Sequence, residues 1–263
     1  MQQMKNSDDY KDIEPLCKKN SIDFYLFDSE KPNALKDILK ALKPDVVFCL
    51  GWPRLLKKDV LDIPRVGTVG FHPAKIPMNR GRHPIIWSIA LGLKKAANTF
   101  FYIDEGADSG DIISQVEFTI EKDDYANDFY KKMTLIGLKQ LEEIFKNFEN
   151  NDIKRIKQNH EKATYWRKRS LQPDGIIDWR MPAENIRNLI RALSEPYSGA
   201  IFYYKDKPYV ALRADVIRED RINLEPGKVL ASSSEGIIVK CGNDSILLTS
   251  IKPKIQIEKD DYL

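Results

Sequence analysis

The chain has 263 residues, enough for a large core and for two structural units. Its 42 basic and 39 acidic side chains leave a net charge of +3, which excludes the strong positive field of a dedicated nucleic-acid binder and favours a small-molecule substrate. Three widely separated cysteines (Cys17, Cys49, Cys241) exclude a disulfide framework or a structural zinc, and neither a leader pattern nor an apolar stretch of roughly 18 residues is legible, so a soluble, cytoplasmic protein with no membrane partner is expected.

Residues 22–27 (IDFYLF) read as a buried strand, and Leu35, Ile38, Leu39 and Leu42 share one face of a helix over 33–43 that Pro44 stops. VVFCL follows, an apolar run too short for a helix, which suits a parallel strand buried on both faces. Strand, helix and strand together predict a right-handed crossover. Residues 65–71 (RVGTVGF) form the next strand and run into the loop HPAKIPMNRGRHP; a helix opens at Pro84 and closes near Gly92. ANTFFYI (97–103) is a strand, DEGADSGD a loop, and 112–120 alternate as a strand. An amphipathic helix from about Asp124 to Phe148 is expected to bury Phe129, Met133, Ile136, Leu141, Ile144 and Phe145.

Beyond about residue 150 the chain turns polar and basic, and residues 151–174 read as a linker between a unit at 1–150 and another at 175–263. The second unit holds one helix, Pro182 to Leu193, and five short strands: AIFYY, PYVAL, GKVL, GIIVKC and SILLTSI. Short strands with turns between them predict a small β-barrel or open barrel beside the α/β unit.

Polar groups concentrate in two loops that follow strands, where open α/β sheets bind ligands. His72 ends one strand, with Lys75, Asn79, Arg80, Arg82 and His83 behind it. Taken alone, a single histidine is more often a structural residue, and the basic loop could equally be a solvated turn. DEGADSGD places Asp104, Glu105, Asp108 and Asp111 around Gly106 and Gly110, which by spacing alone is a capped polar turn. A histidine and an aspartate from neighbouring strand ends would make an acid–base pair. In CLGWPRLL, Gly51 lets a ligand approach the backbone and Trp52 offers a stacking face, although core packing accounts for the tryptophan as well.

HPAKIPMNRGRHPIIW followed by TFFYIDEGADSGDI resembles the paired loops of the formyltransferases that use N10-formyltetrahydrofolate, and DGIIDWRMPAENIRNLIRALSEPYSGA is similar to the opening of their C-terminal domain. The resemblance implies a Rossmann-like α/β catalytic domain with a small C-terminal β-barrel-like domain. It implies a pterin site at Leu50, Gly51, Trp52 and Leu55, facing Asp104 and Gly106. It also implies catalysis by His72 as donor to the oxyanion and Asp108 as acceptor of the amine proton, with no metal. The chain departs from the family pattern in two places. Gly70 stands where the family carries the asparagine of Asn-x-His, for which Asn79 is an alternative amide; and the first residues show neither a strand nor a Gly-rich turn, so the first βα unit is expected to be missing. RGRHPIIW and WRKRS look most like the sugar N-formyltransferases, which implies a nucleotide-linked amino sugar as acceptor, with Lys75, Arg80 and Arg82 meeting its diphosphate. Methionyl-tRNA formyltransferase is the alternative, and a weakly catalytic folate- or nucleotide-sugar-binding relative is another. A homodimer is admitted as the assembly.

Overall fold

Helix α1 (Glu14–Lys19) is followed by α2 (Ala34–Leu42), whose apolar face buries Leu39 and which ends at Lys43, in the left-handed region at φ 47°, just ahead of Pro44. This computed structural model describes residues 12–26, 31, 33–52, 54–170 and 173–263. The strand expected at 22–27 is not formed over residues 22–26, and Phe27 lies outside the described residues. Ile22 donates its N–H back to Cys17 at the end of α1, at 2.9 Å, and Tyr25 and Leu26 are exposed, so this stretch joins no ladder.

Strands β1 (Val46–Cys49) and β2 (Gly67–His72) pair in parallel, with the short helix α3 (Lys58–Leu61) between them. After β3 (Arg80–Gly81) and α4 (Pro84–Ala90), β4 (Lys95–Tyr102) lies antiparallel to β2, and β5 (Ile112–Thr119) antiparallel to β4. The sheet order β1-β2-β4-β5 is therefore mixed, where a parallel sheet was expected. The chain leaves β2 and re-enters β4 from the same end, across residues 73–94, which hold β3 and α4.

Helix α5 (Ala126–Glu149) covers one face of this sheet, packing Ile144 with Val69, Phe100, Tyr102 and Ile113. Phe145, expected inside, is 48% exposed and lays its ring edge against Phe48 at 5.0 Å. The segment after α5 contains a 3-10 turn (His160–Lys162) and strand β6 (Tyr165–Trp166), which pairs with β3. Then come α6 (Ala183–Leu193), β7 (Ala200–Tyr204), β8 (Lys207–Ile217), β9 (Val229–Ser233), β10 (Gly236–Lys240) and β11 (Ser245–Lys252). These five strands form one antiparallel sheet in the order β7-β8-β11-β10-β9, and among the described residues its end strands β7 and β9 do not pair, so the sheet is open rather than a closed barrel. Among the described residues no helix is long and apolar enough to cross a membrane.

The halves share one core. Ile85, Ile86 and Ile89 of α4 and Phe129 of α5 join Ile186 and Ile190 of α6 and Phe202, Ile246 and Leu248 of the C-terminal sheet in a single apolar cluster. A polar lock crosses the same boundary: Arg191, 4% exposed, donates Nε to the Asp124 carbonyl, Nη2 to that of Glu121 and Nη1 to Asn188 Oδ1, each at 2.7 or 2.8 Å. Arg187 likewise reaches the Lys122 carbonyl and the Asp123 carboxylate. Replacing Arg191 with Leu leaves these buried acceptors without donors, at about 1–3 kcal/mol for each stranded group. Urea unfolding of Arg191→Leu should therefore show a loss of at least about 2 kcal/mol; a loss within about 0.5 kcal/mol, the usual range for surface changes, would reject the lock.

Candidate active site

Because β1 and β2 are parallel, with Cys49 opposite Gly70, the loop from Leu50 and the loop from His72 leave the sheet at the same end. His72 is 5% exposed, and its Nε2 lies 2.8 Å from the backbone carbonyl of Asn79. A carbonyl only accepts, so Nε2 carries the proton and donates. Nδ1 is then the nitrogen that faces Asp108, 3.7 Å from Oδ2. That separation exceeds an N–H···O bond, so neither group satisfies the other and both are left to meet a third.

The loop that holds Asn79 is pinned along its length. Thr99 Oγ1 donates to the Ala74 carbonyl, Gln115 Nε2 to that of Ile76, and the Asn79 N–H to Thr164 Oγ1. Two residues on, the Gly81 N–H donates to Asp108 Oδ2 at 2.8 Å, tying the two signature loops together. Gly81 sits at φ 101° against β6, where a Cβ would stand 2.4 Å from the Trp166 carbonyl oxygen, so only glycine permits this approach. On the other side Gly110 packs on the Tyr102 carbonyl, and Asp108 takes a left-handed conformation at φ 53°, which aspartate tolerates.

Behind these contacts lies Arg80, 1% exposed. It donates to Gln158 Oε1 from Nη2 (2.6 Å) and Nε (3.2 Å), to the Tyr165 hydroxyl from Nη1 (2.8 Å), and to His160 Nδ1 from Nη2 (3.2 Å). Gln158 in turn donates to the carbonyls of Asp108 and Gly110. The diphosphate role expected for Arg80 is thus corrected: its guanidinium is buried and committed to bracing the Asp108 loop. Lys75 is also engaged, in an ion pair with Glu117 at 2.5 Å that holds the Glu117 carboxyl below its ordinary range. Of the three expected phosphate contacts, Arg82 is the exposed one.

Leu50 and Leu55 are 52% and 65% exposed, and nothing lies within 4 Å of where a Cβ of Gly51 would stand, so the expected pterin loop presents an open apolar surface; Trp52 is half-buried. Asp104 Oδ1 accepts from the Gly106 N–H and from Ser109 Oγ, which orients the carboxylate within its own turn. At Gly70 a Cβ would come within 2.8 Å of Ile103 Cγ1, so Ile103 occupies the space that an asparagine would need. Asn79 reaches His72 through its backbone carbonyl, not through the amide that was expected to substitute.

The residues that sequence reasoning missed lie in 151–174, read as a linker. Gln158, Thr164, Tyr165 and Trp166 all grip the site from there; the aromatic pair TYW inside a polar stretch was the available signal, and Gln158 carried none. Farther along, Arg167 forks onto the Asp174 carboxylate, which also accepts from the Ser170 N–H, and the Arg167 hydrogen bonds bring Asp174 down to about 2. Burial pushes the Cys49 thiol up to about 11 and that of Cys241 to about 12, so neither serves as a nucleophile near neutrality. Among the described residues no cluster of three or more His, Cys, Asp or Glu is placed to hold a metal ion. A cavity of about 560 Å³ beside Ser232–Ser234 and Lys254 contains none of the expected site residues.

The family profile described as "Formyl transferase" matches residues 3–143, and that described as "Formyl transferase, C-terminal domain" matches residues 170–262. A methionyl-tRNA formyltransferase of Acetivibrio thermocellus is 31% identical over 234 residues, covering 89% of this chain and 75% of the relative. Among solved structures, an N-formyltransferase of Helicobacter canadensis in complex with folinic acid and dTDP-3-aminofucose superposes with a TM-score of 0.70 at 19% identity, over 91% of this chain and 82% of that one. HypX of Aquifex aeolicus, in complex with tetrahydrofolic acid, superposes at 0.66 with 21% identity over 86% of this chain, which spans only 39% of the HypX chain. At these identities the two structural likenesses speak to the fold.

The Arg167–Asp174 fork gives this region a defined pH response. Asp174 titrates near 2 when folded against an ordinary 3.8, so its contribution is complete above 3.8 and is lost as pH falls toward about 2. The stability gap between the unsubstituted chain and Asp174→Asn, followed by denaturant titration, should be constant above pH 5 and shrink between about pH 4 and 2. A gap as wide at pH 2.5 as at pH 6 would contradict this.

Proposed function

The chain belongs to the formyltransferase family of enzymes, and from that membership we propose that it transfers the formyl group of N10-formyltetrahydrofolate to the amine of a nucleotide-linked amino sugar. The observation that carries the reading is the His72–Asp108 pair, whose facing atoms lie 3.7 Å apart, each held in place by a backbone group.

We place the pterin on the open apolar surface of Leu50, Gly51 and Leu55, with Trp52 adjacent in sequence, and assign its polar contact to the oriented Asp104 and Gly106 turn. When bound, the folate supplies a formyl carbon open to attack by an amine. His72 does its work at Nδ1, since Nε2 is bound to Asn79: protonated, Nδ1 donates to oxygen on which negative charge develops. Asp108 keeps Oδ2 on the Gly81 N–H and takes the proton shed by the amine, directly or through water; the formyl C–N10 bond then breaks, N10 keeps the electron pair and takes that proton, and tetrahydrofolate leaves. The buried surroundings of His72 limit water around this exchange.

An amino-sugar acceptor is supported by the small net charge, and the fold is shared with the H. canadensis enzyme whose complex holds dTDP-3-aminofucose. Transfer to methionyl-tRNA is the second reading, favoured by the relative 31% identical in sequence. We assign the chemistry to residues 1–150 and the support of the acceptor to 151–174 and 175–263.

His72→Ala removes the donor and should lower turnover of 10-formyltetrahydrofolate about 100- to 1000-fold, with Asp108→Ala comparable. Because both act on one transition state, the double variant should be little worse than the poorer single. Turnover is to be measured with a panel of amino-sugar nucleotides and with methionyl-tRNA as the rival, alongside folate binding. A folded, folate-binding His72→Ala protein with near-normal turnover would refute the assignment, and transfer to the tRNA alone would replace the acceptor.

A further inference from the structure

An isolated antiparallel bridge carries the segment after α5 into the site. Ile156 and Ile112 exchange N–H···O=C bonds of 2.8 and 2.9 Å, so two residues further along the same register Gln158 stands opposite Gly110. Gln158 is 6% exposed, and its amide is used to capacity. Nε2 donates to the Asp108 carbonyl at 2.9 Å and to the Gly110 carbonyl at 2.6 Å, while Oε1 accepts from Arg80 Nη2 and Nε. A guanidinium only donates and a backbone carbonyl only accepts, so the amide has one possible orientation.

The two carbonyls flank Ser109, in a turn with little freedom. Asp108 takes φ 53°, a region that side chains other than glycine adopt at a cost, and at Gly110 a Cβ would lie 1.8 Å from the Tyr102 carbonyl oxygen. With φ set, the direction of the Asp108 carbonyl determines the direction of its Cα–Cβ bond. The Gly81 N–H completes the placement by holding Oδ2 at 2.8 Å, and the carboxylate comes to rest 3.7 Å from His72 Nδ1.

Resting on the function proposed above, we infer that Gln158 is a positioning residue for the reaction: through the Asp108 carbonyl it holds the carboxylate at the point where the amine sheds its proton. Its own amide, saturated by protein groups, has no hydrogen bond left for folate or acceptor.

Gln158→Glu separates the two sides of this brace. A carboxylate keeps the acceptor that Arg80 needs, but turns an oxygen toward the two carbonyls in place of the donor. Misplacing a reacting group by about 1 Å costs up to about 100-fold, so turnover of 10-formyltetrahydrofolate should fall about ten- to 100-fold, with binding of 5-formyltetrahydrofolate changed much less. In the Asp108→Ala background the same substitution should cost less than about three-fold, because no carboxylate is left to misplace. A role in stability alone would lower both backgrounds alike. Gln158→Met, close in length and without the amide, should repeat the pattern, and urea unfolding of each variant shows whether the fold is kept. A further readout needs no turnover: the change in the His72 Nδ1 nitrogen-15 signal caused by Asp108→Asn should shrink in the Gln158→Glu chain. Near-normal turnover of folded Gln158→Glu, equal losses in both backgrounds, a loss confined to folate binding, or a loss that tracks unfolding in both variants overturns the inference. If the unsubstituted chain transfers formyl to no acceptor, the parent reading falls, and the His72 signal alone then decides whether Gln158 places Asp108.

Discussion

A guanidinium withdrawn from water sets the terms for the rest of this site. Arg80 is almost wholly buried with no carboxylate at ion-pair distance among the described residues, so its charge is balanced by dipoles: Gln158 twice, the Tyr165 hydroxyl and the His160 ring. Burying a charge is tolerable only when its hydrogen bonds are complete, which forces all three partners into fixed places. Gln158 cannot accept from Arg80 without aiming its amide nitrogen at the Asp108 and Gly110 carbonyls. The position of the Asp108 loop is therefore a consequence of solvating Arg80, and the 151–174 segment is held against β3 by the same bonds.

From that brace the reactive geometry follows in two short steps. Arg80 is the residue before Gly81, whose N–H fixes Asp108 Oδ2, and the residue after Asn79, whose carbonyl fixes His72 Nε2. Three consecutive residues thus orient the buried brace, the acid–base aspartate and the histidine tautomer. The apolar cluster shared by α4, α5, α6 and the C-terminal sheet supplies the rigid backing, and Arg187 and Arg191 close its polar seam. Preorganisation of this kind lets a site stabilise developing charge without rearranging during the reaction.

Much of this was legible in the order of residues. His72 and Asp108 could be singled out because each sits in a short motif whose chemistry is contiguous, and most helices and strands follow from local periodicity. What escaped depends on partners far apart in the chain. Arg80 looks like any other cation in a basic loop, since burial is not written in its identity; its partners lie 78 to 85 positions away. Residues 151–174 look like a linker because ladder bonds and a glutamine brace leave no apolar period. Strand direction is likewise silent in alternation: ANTFFYI predicts a strand, while its antiparallel pairing with β2 is visible only in the ladder. Closure of the C-terminal sheet depends on whether its end strands meet, which no single strand reveals.

The account rests on His72 presenting Nδ1, and not Nε2, toward Asp108. The chain has three histidines, so nitrogen-15 histidine labelling gives a spectrum simple enough to assign with a His72 variant. In alkaline buffer, where imidazoles are neutral, the account predicts His72 as the Nε2–H tautomer with Nδ1 unprotonated, and the same ring nitrogen responding when Asp108 is replaced by Asn. A neutral His72 that carries its proton on Nδ1 would mean that the Asn79 carbonyl does not hold the ring, and would contradict the assignment of the reaction centre.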